Sequence, residues 1–167
     1  GQVLLLLSQL RQHSQWNIWP QGNKTVSFPN YDSPSSSLVK MYLSGEFGED
    51  PKQVNAYIAS TFYAVDRYAT FKKEYEAYYN NGGILLADRY TTANMVHQAG
   101  KIQDEEEREK FLNWLCNLEF NLYGLPEPTK VFFLNMPTEK ALELIKDREN
   151  KFSHEQKKDI HERNENH

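Results

Sequence analysis

Gly83-Ile84-Leu85-Leu86-Ala87-Asp88-Arg89-Tyr90 sets an unbroken apolar run against an abrupt stop in an acid, a guanidinium and a phenol. The run is entered through Asn80-Asn81-Gly82-Gly83 and shows no alternation, so it predicts a strand over Ile84–Ala87 that is buried on both faces. Asp88 and Arg89 then fall at the strand's carboxyl end, the edge at which open α/β sheets bind ligands. The planar donor fork of Arg89 matches the oxygens of a phosphate. A plain ion pair between Asp88 and Arg89, closing the strand, accounts for the same residues equally well.

Working outward, the segment before this strand reads as a long helix, roughly Gln53–Tyr79. A short helix over Leu38–Leu43, with Gly45 as its stop, precedes that. Lys24-Thr25-Val26-Ser27-Phe28 alternates as a strand does and is stopped by Pro29, and Asn30–Ser36 follows as a loop rich in Asp, Pro and Ser. Nearer the start, Gln2–His13 reads as a short helix and Ser14–Asn23 as polar and turn-like. Beyond the strand, a short helix is expected near Asn94–Gln98 and another over Glu105–Tyr123, stopped by Gly124. Pro126 and Pro128 bracket the entry to a second apolar strand, Lys130–Leu134, and Pro137-Thr138 opens a helix through Ile145. Nearly all-apolar strands alternating with helices predict an α/β fold: a parallel sheet flanked by helices on both faces. Neither an internal repeat nor a second domain is evident, so residues 1–167 are expected to form one domain.

Composition agrees with a folded chain: 39% of residues are hydrophobic and 13% aromatic. The net charge of −4 gives no reason to expect nucleic acid or an anionic membrane as partner. The apolar run Val3–Leu7 is too short to span a bilayer. The lone cysteine, Cys116, lies on an apolar face of its helix and reads as a packed thiol in a reducing, cytoplasmic setting.

Two pairs of residues suggest chemistry. Tyr63 and Arg67 are four apart on the long helix, so a flat ring and a donor fork share one face, as would suit a stacked, carbonyl-bearing base. Aromatics at helical spacing more often mean core, and Tyr57, Phe71, Tyr75 and Tyr78 lie on the same helix. Asn94 and Gln98 are also four apart, each offering a donor and an acceptor that can read a pyrimidine edge. Helix capping by Thr91 or Thr92, with two solvated amides, is the plainer reading. His97 has no second ligand at metal-binding spacing. The tail Asp147–His167 carries 11 charged residues in 21, fitting either a solvated segment or a mobile flap over a charged ligand.

Taken together, Phe28-Pro29, Tyr63-Ala64-Val65-Asp66-Arg67, Asp88-Arg89-Tyr90 with Asn94 and Gln98, and Leu125-Pro126 before Phe133-Leu134-Asn135-Met136-Pro137 resemble thymidylate kinases. The pieces keep the family's order and spacing across roughly Ser27–Ile145, and Phe28-Pro29-Asn30-Tyr31-Asp32-Ser33 is similar to a bacterial-type branch. The resemblance implies the P-loop fold of nucleoside monophosphate kinases and transfer of the γ-phosphoryl of ATP, carried with Mg2+, to thymidine monophosphate. By position, Tyr63 would stack on thymine, Arg67 would donate to the base, and Arg89 would hold the acceptor phosphate. Asn94 and Gln98 would complete the pocket, with Phe28 and Pro29 in its wall. Residues 147–163 would be the lid, bringing Arg148 and Lys151 to the transferring group. The family also implies a homodimer, for which the long aromatic helix is the natural interface.

Three differences accompany the likeness. No G-x-x-x-x-G-K-[ST] string, the loop that cradles ATP phosphates, occurs in the sequence. Gly1-Gln2-Val3-Leu4-Leu5 looks like the helix that follows such a loop, and the family's last strand and helix are not found after His167. The expectation is a portion of a longer protein, truncated at both ends and inactive alone; the alternatives are a non-catalytic nucleotide-binding protein derived from such a kinase and a related kinase acting on another nucleotide or nucleoside. Tyr31 stands near where many relatives carry a phosphate-touching arginine, and Asn135 where many have an aspartate.

Overall fold

The computed structural model of the protein describes residues 22–137 and 139–140. Expectations for Gln2–His13, for most of Ser14–Asn23, for the helix through Ile145 apart from the helical Glu139 and Lys140, and for the lid with Arg148 and Lys151 lie outside the described residues.

Strand β1, Asn23–Ser27, pairs in parallel with β2, Ile84–Asp88, in the register Asn23↔Ile84 through Ser27↔Asp88. The ladder runs one residue further, since Phe28 N donates to Asp88 O at 3.1 Å. A parallel pair cannot be joined by a tight turn, so the chain must cross over between the strands. It does so through a 3-10 turn, Pro34–Ser36, then helix α1, Ser37–Ser44, and helix α2, Ala56–Thr70. After α2 come a π-helical stretch, Phe71–Tyr75, and a last helical turn α3, Glu76–Asn80. Beyond β2 lie α4, Thr91–Ala99, and α5, Glu105–Cys116, which runs into a second π stretch, Asn117–Leu122.

Local signals explain most boundaries. Gly45 ends α1 at φ 90°, the left-handed region in which a Cβ is disfavoured. Asp104 accepts from Glu107 N at 2.9 Å and caps α5, whose first turn also carries Glu105 and Glu106 against the positive end of the helix dipole. Gly83, in the stretch that opens β2, lies so close to Tyr78 that a Cβ would meet its ring at 2.3 Å. The expected helix from Gln53 instead begins at Ala56: Asp50 builds its own capped turn over Pro51–Gln53, and Asn55 caps α2 by accepting from Tyr57 N at 2.7 Å.

Three further expectations are corrected. β2 is half-buried rather than enclosed, with Ala87 exposed, because among the described residues the sheet has only two strands. Lys130–Leu134 forms no strand; Val131, Phe132 and Phe133 are exposed, with no neighbouring ladder to satisfy them. The helices expected over Asn94–Gln98 and Glu105–Tyr123 start earlier and end in a π stretch, respectively. The parallel sheet with helices is as expected, although in its smallest form.

Two hydrophobic clusters hold the helices. One joins Val39, Tyr42 and Leu43 of α1 to Val54 and Ala59. The other joins Ala56 and Ala99 to Phe111 and Leu115 of α5. α2 is common to both, so it is the spine on which α1, α4 and α5 are placed.

Candidate functional site

The parallel register decides what meets what. It sets the carboxyl ends of β1 and β2 side by side, so Phe28-Pro29 lies against Arg89-Tyr90. The ring centroids of Phe28 and Tyr90 are 5.7 Å apart. Arg67, brought in by α2, places its guanidinium carbon 5.3 Å from the Phe28 ring centre and 5.2 Å from that of Tyr90. Three stretches distant in sequence therefore converge at one end of the sheet.

Arg67 is buried and forks onto the buried Glu119: Nε donates to Oε2 at 2.5 Å and Nη2 to Oε1 at 3.2 Å. Thr91 Oγ1 donates to the same Oε2 at 2.8 Å. Thr91 thus ties α4 to the ion pair instead of capping it, and α4 has no side-chain cap. Burial among these groups pushes the Tyr90 hydroxyl above its ordinary range, and that hydroxyl donates to Pro126 O at 2.9 Å.

Arg89 differs in every respect. Its backbone sits at φ 64°, the only non-glycine residue at positive φ among the described residues. Such a conformation is costly for a side chain with a Cβ, and it turns residue 89 away from the strand direction. Arg89 is exposed and, among the described residues, makes no hydrogen bond or ion pair. The plain Asp88–Arg89 ion pair is therefore not formed.

Asn94 and Gln98 share the buried face of α4, which overturns the reading of two solvated amides. Asn94 is held by Ser60 of α2, accepting from Ser60 Oγ at 3.3 Å and donating to Ser60 O at 3.3 Å. Gln98 is fully buried, and neither its Oε1 nor its Nε2 has a partner among the described residues. A buried amide left in that state costs about 1–3 kcal/mol, so a site of this kind asks for an explanation. Tyr63, one turn before Arg67 on α2, is half-buried and meets Tyr42 edge-on with ring centres 6.4 Å apart. It belongs at the margin of the first hydrophobic cluster. Pro29 is buried beside Phe28.

The loop after β1 is fixed by a residue that the sequence did not single out. Asp66 is buried and accepts from Asn30 N at 2.9 Å and from Ser35 Oγ at 2.6 Å. Burial raises its carboxyl above the ordinary value, and the two hydrogen bonds oppose that rise. Glu119 was equally unforeseen, although Phe111, Leu115 and Glu119 recur at spacing four and so put a carboxylate on the buried face. Cys116 is half-buried, and burial raises its thiol. Among the described residues no group of three or more His, Cys, Asp or Glu side chains could hold a metal ion, and no helix is long and apolar enough to cross a membrane.

Comparison with known proteins adds a family to this geometry. A family model described as thymidylate kinase matches residues 17–166. The chain is also 25% identical over 125 residues to a thymidylate kinase of Dictyostelium discoideum, an alignment covering 75% of this chain and 49% of that protein. The chain thus spans about half the length of the curated relative it matches. No solved structure is significantly similar.

Proposed function

The chain belongs to the thymidylate kinase family, and from that premise we propose that it supplies the acceptor-nucleotide site of a kinase moving the γ-phosphoryl of MgATP to thymidine monophosphate. The observation that carries this reading is the meeting of Phe28-Pro29, Arg67 and Arg89-Tyr90 at the carboxyl ends of the two strands. That edge is where α/β sheets receive ligands, and it offers one sequestered guanidinium and one that is exposed and without a partner among the described residues.

Each residue then has a task. Arg89 grips the acceptor phosphate, its outward turn presenting the whole fork to solvent. Arg67 and the orphaned amide of Gln98 read the pyrimidine edge, with Asn94 locked in place by Ser60. Tyr63 stacks on the base, and Phe28 and Pro29 wall the pocket. Catalysis of phosphoryl transfer rests on positioning and positive charge, so Arg89 is also the chain's first contribution to the transition state. Arg148 and Lys151, within residues 147–163 assigned to the lid, add positive charge at the transferring group. Mg2+ arrives with ATP, and no residue of this chain is assigned to either, because the sequence lacks the phosphate-cradling string. Self-association along α2 is supported by Ile58, Val65 and Tyr68, which are exposed at helical spacing on it. One domain in a cytoplasmic homodimer, with neither nucleic acid nor membrane as partner, completes the reading.

Calorimetric titration with the monophosphates of thymidine, deoxyuridine, deoxycytidine and adenosine tests the site. Thymidine monophosphate is expected to bind most tightly; a tighter purine would overturn the assignment. ATP-dependent formation of thymidine diphosphate separates a kinase from a protein that only binds the nucleotide.

A further inference from the structure

Resting on the acceptor-site reading above, we propose that Glu119 is a positioning residue for base selection: it fixes the Arg67 guanidinium so that the remaining donors meet a carbonyl-bearing pyrimidine edge. Glu119 lies in the π stretch Asn117–Leu122, a departure from regular helix that is frequent at functional sites. The backbone there is pinned, since Leu125 N donates to Glu119 O at 3.0 Å. Both carboxylate oxygens are engaged, Oε1 by Arg67 and Oε2 by Arg67 and Thr91.

Stability alone gives a weak reason for this arrangement. A buried ion pair sacrifices hydration of both charges, and well-packed apolar residues often replace it at no loss. Orientation gives a stronger one. A guanidinium has five N–H donors in a rigid plane. Glu119 takes Nε and one hydrogen of Nη2, while the adjacent Phe28 and Tyr90 rings pack against one side of the group. Nη1 and the outer hydrogen of Nη2 then point in one fixed direction. A carbonyl on a pyrimidine accepts from them; the amino group that cytosine carries at the same position would confront donor with donor. Through Thr91, the same carboxylate also anchors the start of α4, two residues after Arg89.

The test compares affinities for thymidine and deoxycytidine monophosphates, measured by calorimetry on the protein and its variants. Glu119→Gln keeps the shape but presents an amide to the guanidinium and frees Arg67 to swing. The thymidine-over-deoxycytidine preference is expected to fall about tenfold or more. Glu119→Asp, which keeps the carboxylate, is expected to recover part of it. A merely structural Glu119 would weaken both nucleotides together, and an unchanged ratio in a folded Glu119→Gln protein overturns the proposal. Should that variant not fold, Thr91→Val decides, since it removes one donor to Oε2 and leaves the ion pair. A fall in the ratio of roughly threefold supports the proposal, and no change overturns it. If the unaltered protein binds no thymidine monophosphate, the acceptor-site reading itself falls and takes the proposal with it.

Discussion

Arg89→Gly separates what this residue does for the fold from what it does for a ligand, because the two effects have opposite signs. Arg89 holds φ 64° without a hydrogen bond or ion pair to any described residue. Keeping a non-glycine residue in the left-handed region costs about 1–2 kcal/mol. Glycine removes that cost and returns about 0.5–1 kcal/mol through the greater freedom of the unfolded chain. The net expectation is a gain of roughly 0.5–1 kcal/mol in stability, or about 1–4 °C in Tm for a domain of this size.

Binding should move the other way. Removing the fork leaves phosphate oxygens unpaired, at a cost on the order of 2–4 kcal/mol, or about 30- to 1,000-fold in affinity for thymidine monophosphate. Arg89→Ala should lose the same affinity with no gain in Tm, since alanine keeps the Cβ that makes the conformation costly. Urea melts and calorimetry on the three proteins measure both quantities. A glycine variant destabilised by more than about 1 kcal/mol would mean that Arg89 supports the fold. A stabilised variant with unchanged affinity would refute its role at the phosphate.

Other expectations follow the same logic. Gln98→Leu replaces a buried amide lacking partners among the described residues, so it should stabilise the ligand-free protein by about 1–3 kcal/mol in urea melts while weakening the pyrimidine nucleotide tenfold or more; a destabilised variant would show that the amide is satisfied in solution. Tyr63→Ala should weaken the nucleotide by about 1–3 kcal/mol in calorimetry if the ring stacks on a base, whereas loss of the folded state would return Tyr63 to the cluster it borders. Lys101 donates to Tyr42 Oη at 2.7 Å, and burial lowers its pKa to about 8 from 10.5. The unfolded chain therefore holds the extra proton between those values, and stability should rise with pH across that window by about 1–2 kcal/mol after allowing for solvent screening. Lys101→Met should abolish that rise in urea melts at pH 7.5 and pH 10; a rise that persists would place its origin elsewhere.

What the sequence disclosed was punctuated locally. Lys24–Phe28 stops at Pro29 and Ile84–Ala87 stops at Asp88, so both strands were legible, and Gly45 and Gly124 marked ends that the structure keeps. Lys130–Leu134 carries the same apolar signature and yet forms no strand. A strand exists only as one side of a ladder, and composition does not report whether a neighbour is present. The site divided in the same way. Spacing four put Tyr63 with Arg67 and Asn94 with Gln98, but it could not tell that Ser60 occupies Asn94 or that Glu119 holds Arg67. Those partners lie 34 and 52 residues away and become neighbours only through packing of α2 against α4 and α5.

The interior of this chain contains an expensive choice. Asp66, Arg67, Thr91, Asn94, Gln98 and Glu119 are all buried, and all lie on α2, α4 or the π stretch after α5. Apolar residues at these positions would serve packing at lower cost in desolvation. Two purposes can be told apart among them by their partners. Asp66 is satisfied within the chain by Asn30 and Ser35, so its role ends in holding the loop after β1. Gln98 is satisfied by nothing described, and Arg67 retains donors beyond those Glu119 takes. Local rules that fail without internal compensation mark the places where a ligand supplies the missing partner. The same distinction predicts how the two classes respond to nucleotide: substitutions at Asp66 should shift free and bound stability equally, whereas those at Gln98 and Arg67 should change the difference between them.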